Sequence, residues 1–389
     1  MIFNKGQEVL KEAVRQFSRE RLLPLYQKRE RDGQIECELL MEMAELGMLG
    51  VDVPVEFGGL GADAVTMGLV IEELAYGDCN VAAIVLVMSL CSEIIARIAT
   101  PELASHWLAR VPCGRAIFAL SIAEHHCGSD AGALQLKACR DGDFYVLNGE
   151  KASMTYCDSA DAFIVFGRTG KPEDGAYGVT AFLVPSITPG ISMTLFDDLG
   201  GRCSGRGSVF FDDVRVPIDH RLGDENEGFL QVMACFDYSR ALVALQCLAA
   251  AQASIDEAWA YAKEREAFGG PIVRFQGVSF PLVEGETQIA AARQLSYHAL
   301  ALRDSGRPHT VEAAMVKSMA SKTAFDVIHQ CALTLGHYGW SMDAPHQQRM
   351  RDVMGLEIAD GTAGVMKMIV ARARAGRAAT EEIRSATTG

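Results

Sequence analysis

The stretch from Phe229 to Phe268 limits the possible folds most strongly, because its 40 residues contain neither Gly nor Pro. At 1.5 Å per residue, an uninterrupted helix of this length would be roughly 60 Å long. Pro281 is expected in the first turn of a second helix and Thr310 at the N-cap of a third, while Gly376 is a suitable stop for a fourth. These three further helices are predicted at residues 281–304, 310–335 and 362–374. Four long helices with short connections predict an antiparallel bundle.

The rest of the sequence divides into a helical part and a strand-rich part. From Gln7 to about Arg110, apolar residues recur at spacings of three and four, which is typical of helices. After this part the pattern changes to short runs rich in Val, Phe and Ile, separated by Gly, Pro and Asp, which predict strands. Asp141-Gly142 predicts a hairpin with positive φ at both turn positions. The predicted strands are residues 116–122, 134–140, 144–149, 162–168, 179–185 and 208–216.

These patterns predict a mainly α fold with a central β-domain. The expected organisation is an N-terminal α-helical domain over residues 1–115, a middle antiparallel β-domain over 116–228 and a C-terminal four-helix bundle domain over 229–389. Of the residues, 49% are hydrophobic and 22% charged, a balance typical of globular domains with a large core.

The charge of the chain argues against two classes of partner. Lys and Arg number 36 and Asp and Glu 50, which gives a net charge of −14. Nucleic acids and anionic membranes favour clustered Lys and Arg, so neither is expected as a partner. The best apolar run, from Val81 to Cys91, is shorter than the roughly 18 residues that span a bilayer. The N-terminus also lacks the apolar core of a secretory signal.

Cysteine usage indicates a reducing compartment and no metal. The eleven cysteines are scattered singly, without a C-x-x-C pair and mostly among apolar neighbours, as in a cytoplasmic protein with buried thiols. His125 and His126 follow Glu124, but adjacent histidines do not easily converge on one ion. No third ligand lies at a helical or zinc-type spacing, so no metal site is predicted.

Two other patterns carry little weight. Gly59-x-Gly61-x-x-Ala64 matches the glycine spacing of a dinucleotide-binding turn, which requires a preceding strand. Pro54 interrupts the run before it, so a glycine-rich loop between helices is favoured. A hydrolase has little support, because there is no G-x-S-x-G elbow and no Ser or Cys paired with a His by spacing.

Eight separated segments bear on function: Leu120–Asp130, Asn148–Lys151, Phe211–Pro217, Arg265–Gly269, Phe275–Gln276, Gly336–Gly339, Arg351–Asp352 and Ile358–Thr362. Each is weak alone, since Asn-Gly signals a turn and Asp-Asp-Val a strand end. In this order, and within a helix–strand–helix partition, they resemble the flavin-dependent acyl-CoA dehydrogenase family over nearly the whole chain. The resemblance implies bound FAD, an acyl-CoA substrate, a homotetramer and an electron-transferring flavoprotein as electron acceptor.

The resemblance also assigns binding residues. Those implied in FAD binding are Ile122, Ala123, Ser129, Ser153, Met154, Thr155, Arg265, Gln276, Gly336, Thr362 and Gly364. Those implied in binding the substrate or its CoA moiety are Ser129, Asp237, Arg240, Gly361 and Arg372. Two positions depart from the family pattern: Ser153 stands where the family has a Trp over the flavin, and Leu333 where it has a Gln near adenosine.

Asp360 is the candidate base. Removing two hydrogens from adjacent carbons beside a thioester requires a base for the α-proton and a hydride acceptor on the other face. No side chain accepts hydride, so this role belongs to flavin N5. Asp360 stands where most members of the family have a catalytic Glu. A second family solution places the acid one position before Arg240, and that residue is Ser239. In isolation, Asp-Gly-Thr before an apolar run favours a helix N-cap instead.

The short acid bears on the substrate. Asp is one methylene shorter than Glu, which matters for a reaction that needs reacting atoms roughly 3–3.5 Å apart. An Asp base resembles that of dehydrogenases of alicyclic acyl-CoA thioesters, so cyclohexane-1-carboxyl-CoA is the expected substrate and cyclohex-1-ene-1-carboxyl-CoA the product. Alternatives are dehydrogenation of cyclohex-1-ene-1-carboxyl-CoA or of a short or branched-chain acyl-CoA, a flavoenzyme like nitroalkane oxidase, and a non-enzymatic flavoprotein.

Overall fold

The structure is a computed structural model that describes residues 2–376. The chain divides into two compact units. Within the described residues, the helical unit comprises 2–27, 68–82 and 237–376, and the sheet unit comprises 28–67 and 83–236. The three-domain boundaries at residues 115 and 228 stay a prediction.

Six α-helices precede the first strand. They are α1 (Lys5–Phe17), α2 (Tyr26–Asp32), α3 (Cys37–Glu45), α4 (Ala64–Gly77), α5 (Cys79–Ile98) and α6 (Pro101–Leu108). The first begins with a capping box: the Asn4 side chain accepts a hydrogen bond from the Gln7 backbone N–H, and the Gln7 side chain accepts one from that of Asn4. Thr100 caps α6 by a single bond, in which its hydroxyl accepts from the Leu103 N–H, and Pro101 occupies the first helical position.

The sheet unit contains one mixed eight-stranded sheet. Its strands are β1 (Phe118–Ser121), β2 (Lys137–Asp141), β3 (Phe144–Met154), β4 (Ala162–Arg168), β5 (Val179–Pro185), β6 (Ile191–Leu195), β7 (Gly207–Pro217) and β8 (Arg221–Leu222). The order is β6-β7-β3-β2-β4-β5-β8, with β1 beside β4. Most pairs are antiparallel, but β1 and β2 each pair with β4 in parallel. The predicted hairpin is confirmed, but its two turn residues are Gly142 and Asp143, and of these only Gly142 has positive φ.

The core of the sheet is aromatic and β-branched. Tyr145, Phe163 and Phe182 are fully buried on β3, β4 and β5, and the rings of Tyr145 and Phe182 are 4.9 Å apart between centroids. Pairing of β3 with β7 is interrupted between Lys151 and Met154 by a register shift. Such a shift bends a strand and re-aims its side chains, here at the end of β3 where FAD-binding residues are predicted.

Five α-helices follow the sheet: α7 (Gly228–Glu264), α8 (Gln276–Asp304), α9 (Thr310–Thr334), α10 (His346–Ile358) and α11 (Ala363–Ala375), with a small hairpin of β9 (Glu266–Ala267) and β10 (Gly270–Pro271) before α8. Within the helical unit, α9 packs against α8, α10 and α11. The predicted fold class is confirmed, and α10 is added to the four helices that the sequence predicted.

Two predicted helix starts were wrong. Pro281 lies inside α8, which begins earlier at Gln276, rather than in the first turn. Thr310 is the first helical residue of α9, its N-cap is His309, and no side chain caps the helix. The Thr310 hydroxyl instead donates to the carboxylate of Asp237, a contact that local sequence does not reveal.

By length and composition, α5 and α7 are long and apolar enough to cross a membrane. This finding corrects the prediction, made from uninterrupted apolar runs, that no segment is long enough to span a bilayer. In the most apolar 18-residue window of each helix, 67% of α5 and 89% of α7 is buried inside the protein, as is typical of core helices. The absence of a membrane partner therefore stays a prediction that rests on burial and charge.

Candidate active site

Asp360 lies in the short connection between α10 and α11, and its backbone is left-handed, with φ of +54°. The next residue, Gly361, has φ of +96°, where a side chain would be strained and would approach Met366. The N-cap of α11 is Thr362, whose hydroxyl accepts from the Val365 N–H at 3.4 Å. The N-cap interpretation of Asp360 is therefore wrong, and its carboxylate is not used to begin the helix.

Donors from α7 and α9 hold this connection. Ser239 Oγ donates to Asp360 Oδ2 at 2.7 Å, and Arg240 Nε donates to the Asp360 carbonyl oxygen at 3.3 Å. Lys317, which is 1% exposed, donates to the carbonyl oxygens of Gly361 and Glu357. Burial lowers the pKa of Lys317, and the negative charge of Asp360 opposes that shift. Asp360 Oδ1 makes no hydrogen bond with any described residue.

Two predicted CoA-binding residues contact each other. Arg240 Nη1 donates to Asp237 Oδ1 at 2.6 Å, and Thr310 Oγ1 donates to Asp237 Oδ2 at 2.5 Å. Arg240 is 7% and Asp237 9% exposed, so this ion pair is nearly buried. Within residues 2–376, the Arg240 Nη2 group has no hydrogen-bond partner and retains its donors.

Three further predicted binding residues, Thr362, Gly364 and Arg372, lie at the two ends of α11. Gly364 is exposed in the first turn, beside the capping Thr362, where helix N–H groups lack intrahelical partners and attract anions. Arg372 lies in the last turn, and its Nε is buried without a hydrogen-bond partner among the described residues. A buried unpaired N–H is costly, so this atom is suited to an acceptor supplied by a ligand.

In the sheet unit, a buried ion pair fixes the segment that contains Ile122 and Ala123. Lys151 is fully buried on β3 and donates to Glu124 Oε1 at 2.6 Å and to the Ile122 carbonyl at 3.1 Å. The Ala152 N–H donates to the Ala123 carbonyl at 2.9 Å. Burial lowers the pKa of Lys151, while the charge of Glu124 opposes that shift. The structure thus brings residues 122–123 beside the end of β3.

The end of β3 contains the three other predicted flavin contacts of this region. Met154 is fully buried, Thr155 is half-buried and Ser153 is exposed with φ of +60°. Ser153 Oγ accepts from Arg206 Nη1 at 3.1 Å, and Arg206 Nε donates to Asp198 at 2.6 Å. A polar arrangement therefore occupies the position where the family has a Trp. Ser129 is also exposed, in the loop after β1.

The remaining predicted FAD-binding residues are exposed at helix ends of the helical unit. Arg265 follows α7, Gln276 begins α8, and Gly336 follows α9 with φ of +62°. The guanidinium of Arg265 forms no ion pair or hydrogen bond with other described residues. An uncommitted cation at this position fits the pyrophosphate of FAD.

One cluster of possible metal ligands was not expected from the sequence. One ligand atom each of Glu124, His126 and Cys127 lie within 4.8 Å of one another, although no third ligand was expected beside the histidines. Glu124 already accepts from Lys151 and from two backbone N–H groups, those of Gln135 and Leu136. Burial also raises the pKa of the Cys127 thiol, which disfavours the thiolate that binds metals.

Sequence reasoning missed the two residues that organise these segments. Lys317 lies on α9 among Ala313, Ala314, Ala320 and Ala324, all fully buried. A lone Lys in an apolar stripe with helical spacing is a signal of a buried ammonium, since such residues are rarely buried unless paired. Arg206 had no comparable signal, because its partners Ser153 and Asp198 lie in separate segments that only tertiary folding brings together.

Comparison with known proteins finds similar proteins along nearly the whole chain. Models of the acyl-CoA dehydrogenase N-terminal, middle and C-terminal domains match residues 4–115, 119–214 and 226–374. The short-chain specific acyl-CoA dehydrogenase of Clostridium acetobutylicum is 33% identical over 95% of this chain and 98% of that protein. Butyryl-CoA dehydrogenase from Megasphaera elsdenii is 34% identical with a TM-score of 0.93, over 96% and 100% of the chains. A chain from the structure described as the electron transferring flavoprotein of Acidaminococcus fermentans is 34% identical with a TM-score of 0.92, over 96% and 99%.

Proposed function

Because this chain belongs to the acyl-CoA dehydrogenase family, we propose that it converts the alicyclic thioester cyclohexane-1-carboxyl-CoA to cyclohex-1-ene-1-carboxyl-CoA. The enzyme is an acyl-CoA dehydrogenase and its cofactor is FAD. When bound, FAD supplies the hydride acceptor that no side chain provides. The chain itself must bind the thioester, take the α-proton and exclude water.

The uncommitted oxygen of Asp360 is the observation that supports the base role. The carboxylate accepts one hydrogen bond, from Ser239 to Oδ2, which leaves Oδ1 without a partner among the described residues. Thr362 rather than Asp360 caps α11. In the proposed step the α-carbon–hydrogen bond breaks, its proton passes to Asp360 Oδ1, and the electron pair forms the new double bond as the β-hydride leaves.

The length of the acid supports a cyclic substrate. Relative to Glu, Asp withdraws the carboxylate by one methylene, while proton transfer requires a separation of roughly 3–3.5 Å. Because Asp360 is held in a fixed connection by Ser239, Arg240 and Lys317, the α-carbon of the substrate must approach the acid. A ring carbon is branched at the α-position, and its bulk directs that carbon differently from a straight chain.

The residues proposed for FAD and CoA offer suitable donors. For FAD these are the Arg265 guanidinium and the exposed first turn of α11 at Thr362 and Gly364. For the CoA moiety they are the Nη2 group of Arg240 and the unpaired Nε of Arg372. Each is a donor without a partner within the described chain, as anionic and carbonyl ligands require.

We also propose a homotetramer that passes electrons to an electron-transferring flavoprotein. The partner is supported by the likeness to the chain from the Acidaminococcus fermentans structure. Association is supported by large apolar side chains exposed in the helical unit, including Phe268 at 90% and Trp340 at 89%. All eleven cysteines are free thiols, which favours a cytoplasmic location.

Anaerobic reduction of the bound flavin tests the substrate. The purified holoenzyme is mixed with cyclohexane-1-carboxyl-CoA, isobutyryl-CoA and butyryl-CoA, and bleaching is followed by stopped flow. The cyclic thioester is expected to reduce the flavin fastest. Faster reduction by butyryl-CoA would overturn the alicyclic assignment and favour a short-chain acyl-CoA dehydrogenase, the activity named for two similar proteins. Nitrite release from nitroethane without response to thioesters would favour a nitroalkane oxidase.

A further inference from the structure

Ser239 is buried on α7 and contacts the proposed base across 121 positions of sequence. It is 0% exposed, and its Oγ lies 2.7 Å from Asp360 Oδ2. An ionised carboxylate has only acceptors, so the serine must donate in this pair. A hydrogen bond to a charged group is among the stronger kinds that a neutral side chain makes.

The main chain around Asp360 is fixed by other groups. Arg240 donates to the Asp360 carbonyl and Lys317 to that of Gly361, so two buried cations set the path of the connection. Neither makes a hydrogen bond with the Asp360 carboxylate. Among the described residues, Ser239 is therefore the single hydrogen-bond donor to that carboxylate and the contact that selects its rotamer.

We propose that Ser239 is a positioning residue that orients the Asp360 carboxylate, binding Oδ2 so that Oδ1 faces the substrate's α-carbon. This inference rests on the proposed role of Asp360 as base. Proton transfer to Oδ1 leaves the Ser239 hydrogen bond to Oδ2 intact, because the protonated acid retains acceptor capacity there. Ser239 neither gains nor loses a proton during turnover.

The test compares Ser239→Ala with Ser239→Thr, which keeps the hydroxyl, in the FAD-loaded enzyme. Flavin reduction is measured by stopped flow over a series of concentrations of the substrate that reduces the wild type fastest. For the alanine variant we expect the limiting rate to fall roughly 10- to 100-fold, as for loss of a hydrogen bond to a charged group. Substrate affinity is unchanged. The threonine variant restores most of the rate.

Ser296→Ala is the matched control. Ser296 is equally buried, and its hydroxyl donates to the Ala292 carbonyl within α8 at 3.0 Å, away from Asp360. This variant should reduce flavin at the wild-type rate and with unchanged substrate affinity. If Ser239→Ala loses FAD, the nearly isosteric Ser239→Cys, a weak donor, takes its place with the same expectations.

Two outcomes separate this inference from the proposed function. If Asp360→Asn reduces flavin normally, Asp360 is not the base and the proposed function fails. If Asp360→Asn is inactive while Ser239→Ala, or its cysteine substitute, matches Ser296→Ala in limiting rate, the base role stands and the positioning role of Ser239 is refuted. A fall in rate without restoration by threonine would refute it as well.

Discussion

Glu124 in the sheet unit and Asp360 in the helical unit are both acids near a buried lysine, yet their hydrogen bonding differs. Glu124, 8% exposed, accepts from Lys151 at 2.6 Å and from two backbone N–H groups at 2.7 and 2.9 Å. Asp360 accepts at its carboxylate only from Ser239 among the described residues. An acid whose oxygens are occupied by several donors is suited to holding structure together, whereas one with an uncommitted oxygen is suited to take a proton.

The two lysines differ in the same sense. Lys151 forms an ion pair with Glu124 and donates to the Ile122 carbonyl, so its ammonium group fixes the segment at Ile122. Lys317 instead donates to the carbonyl oxygens of Gly361 and Glu357, which holds the backbone beside Asp360 without binding its carboxylate. The comparison teaches that the Lys151–Glu124 ion pair has a structural role, and that the functional acid is the incompletely bonded one.

Removing the charge of each acid should produce the largest difference between the two regions, in the rate of flavin reduction. Asp360→Asn is expected to keep FAD and thioester binding, because the amide is nearly isosteric, and to slow flavin reduction by roughly 10⁴-fold or more, the upper end of general-base effects. Glu124→Gln should reduce FAD content while any loaded enzyme keeps a near-normal rate. Stopped-flow reduction and absorbance of bound FAD measure both, and near-wild-type reduction by Asp360→Asn would reverse the comparison.

Removing the lysine of the saturated pair should mainly affect stability. Lys151→Met leaves Glu124 buried without its counter-charge, which typically costs about 3–5 kcal/mol. The free energy of unfolding in urea measures this loss. Lys322→Met is the control, because Lys322 pairs with Asp326 at an exposed site where both side chains are over half exposed, and such pairs contribute little. Equal stabilities of the two variants would contradict a structural role for Lys151.

The two arginines proposed to bind CoA should separate binding from chemistry. Arg372→Ala is expected to raise KM roughly tenfold and leave kcat unchanged, as for loss of uniform binding. Arg240→Ala should raise KM as well, and should also lower kcat modestly, because Arg240 holds the Asp360 carbonyl. Steady-state kinetics with the reactive thioester measure both. A fall in kcat with unchanged KM would refute CoA binding by Arg240.

Lowering the pH should produce the smallest effect, a loss of folding stability that arises from His346 in the helical unit. His346 is 1% exposed, and burial together with the nearby Arg349 lowers its pKa below 6.5. Below 6.5 the unfolded chain binds a proton that the folded chain refuses, so stability falls as pH decreases toward the lowered pKa. His346→Gln should flatten the decline in the free energy of unfolding between pH 7 and 5, a range around the ordinary His value. An unchanged slope would contradict the assignment.

Much of the fold could be predicted where one physical signal dominates. β4 and β5 have their predicted bounds, because continuous apolar runs between turn residues mark buried strands. Predicted strands did not include β6, although its sequence, Ile-Ser-Met-Thr-Leu, alternates between apolar and polar residues; it is short, and four of its five residues are exposed in the structure. Likewise α10 was missed because its buried residues are mainly polar, including His346, Gln348 and Arg349, so apolar periodicity does not reveal it.

The site was predictable as a set of residues and not as a geometry. The motif series identified Asp360, but Asp-Gly-Thr fits both a base and an N-cap, and nothing local decides between them. The decision comes from Ser239, which is 121 residues away in sequence, and from Thr362, which takes the capping role. Sequence spacing does not reveal hydrogen-bond donors that only the tertiary fold brings close to the acid.

The ratio of flavin-reduction rates for cyclohexane-1-carboxyl-CoA and butyryl-CoA, measured in wild type and Asp360→Glu, tests most directly whether the short acid selects a cyclic substrate. The longer arm should hinder the ring, whose bulk fills the space, and should be tolerated better by the straight chain. We predict that the ratio favours the ring in wild type and falls in the variant. An unchanged or increased ratio in Asp360→Glu would contradict the account.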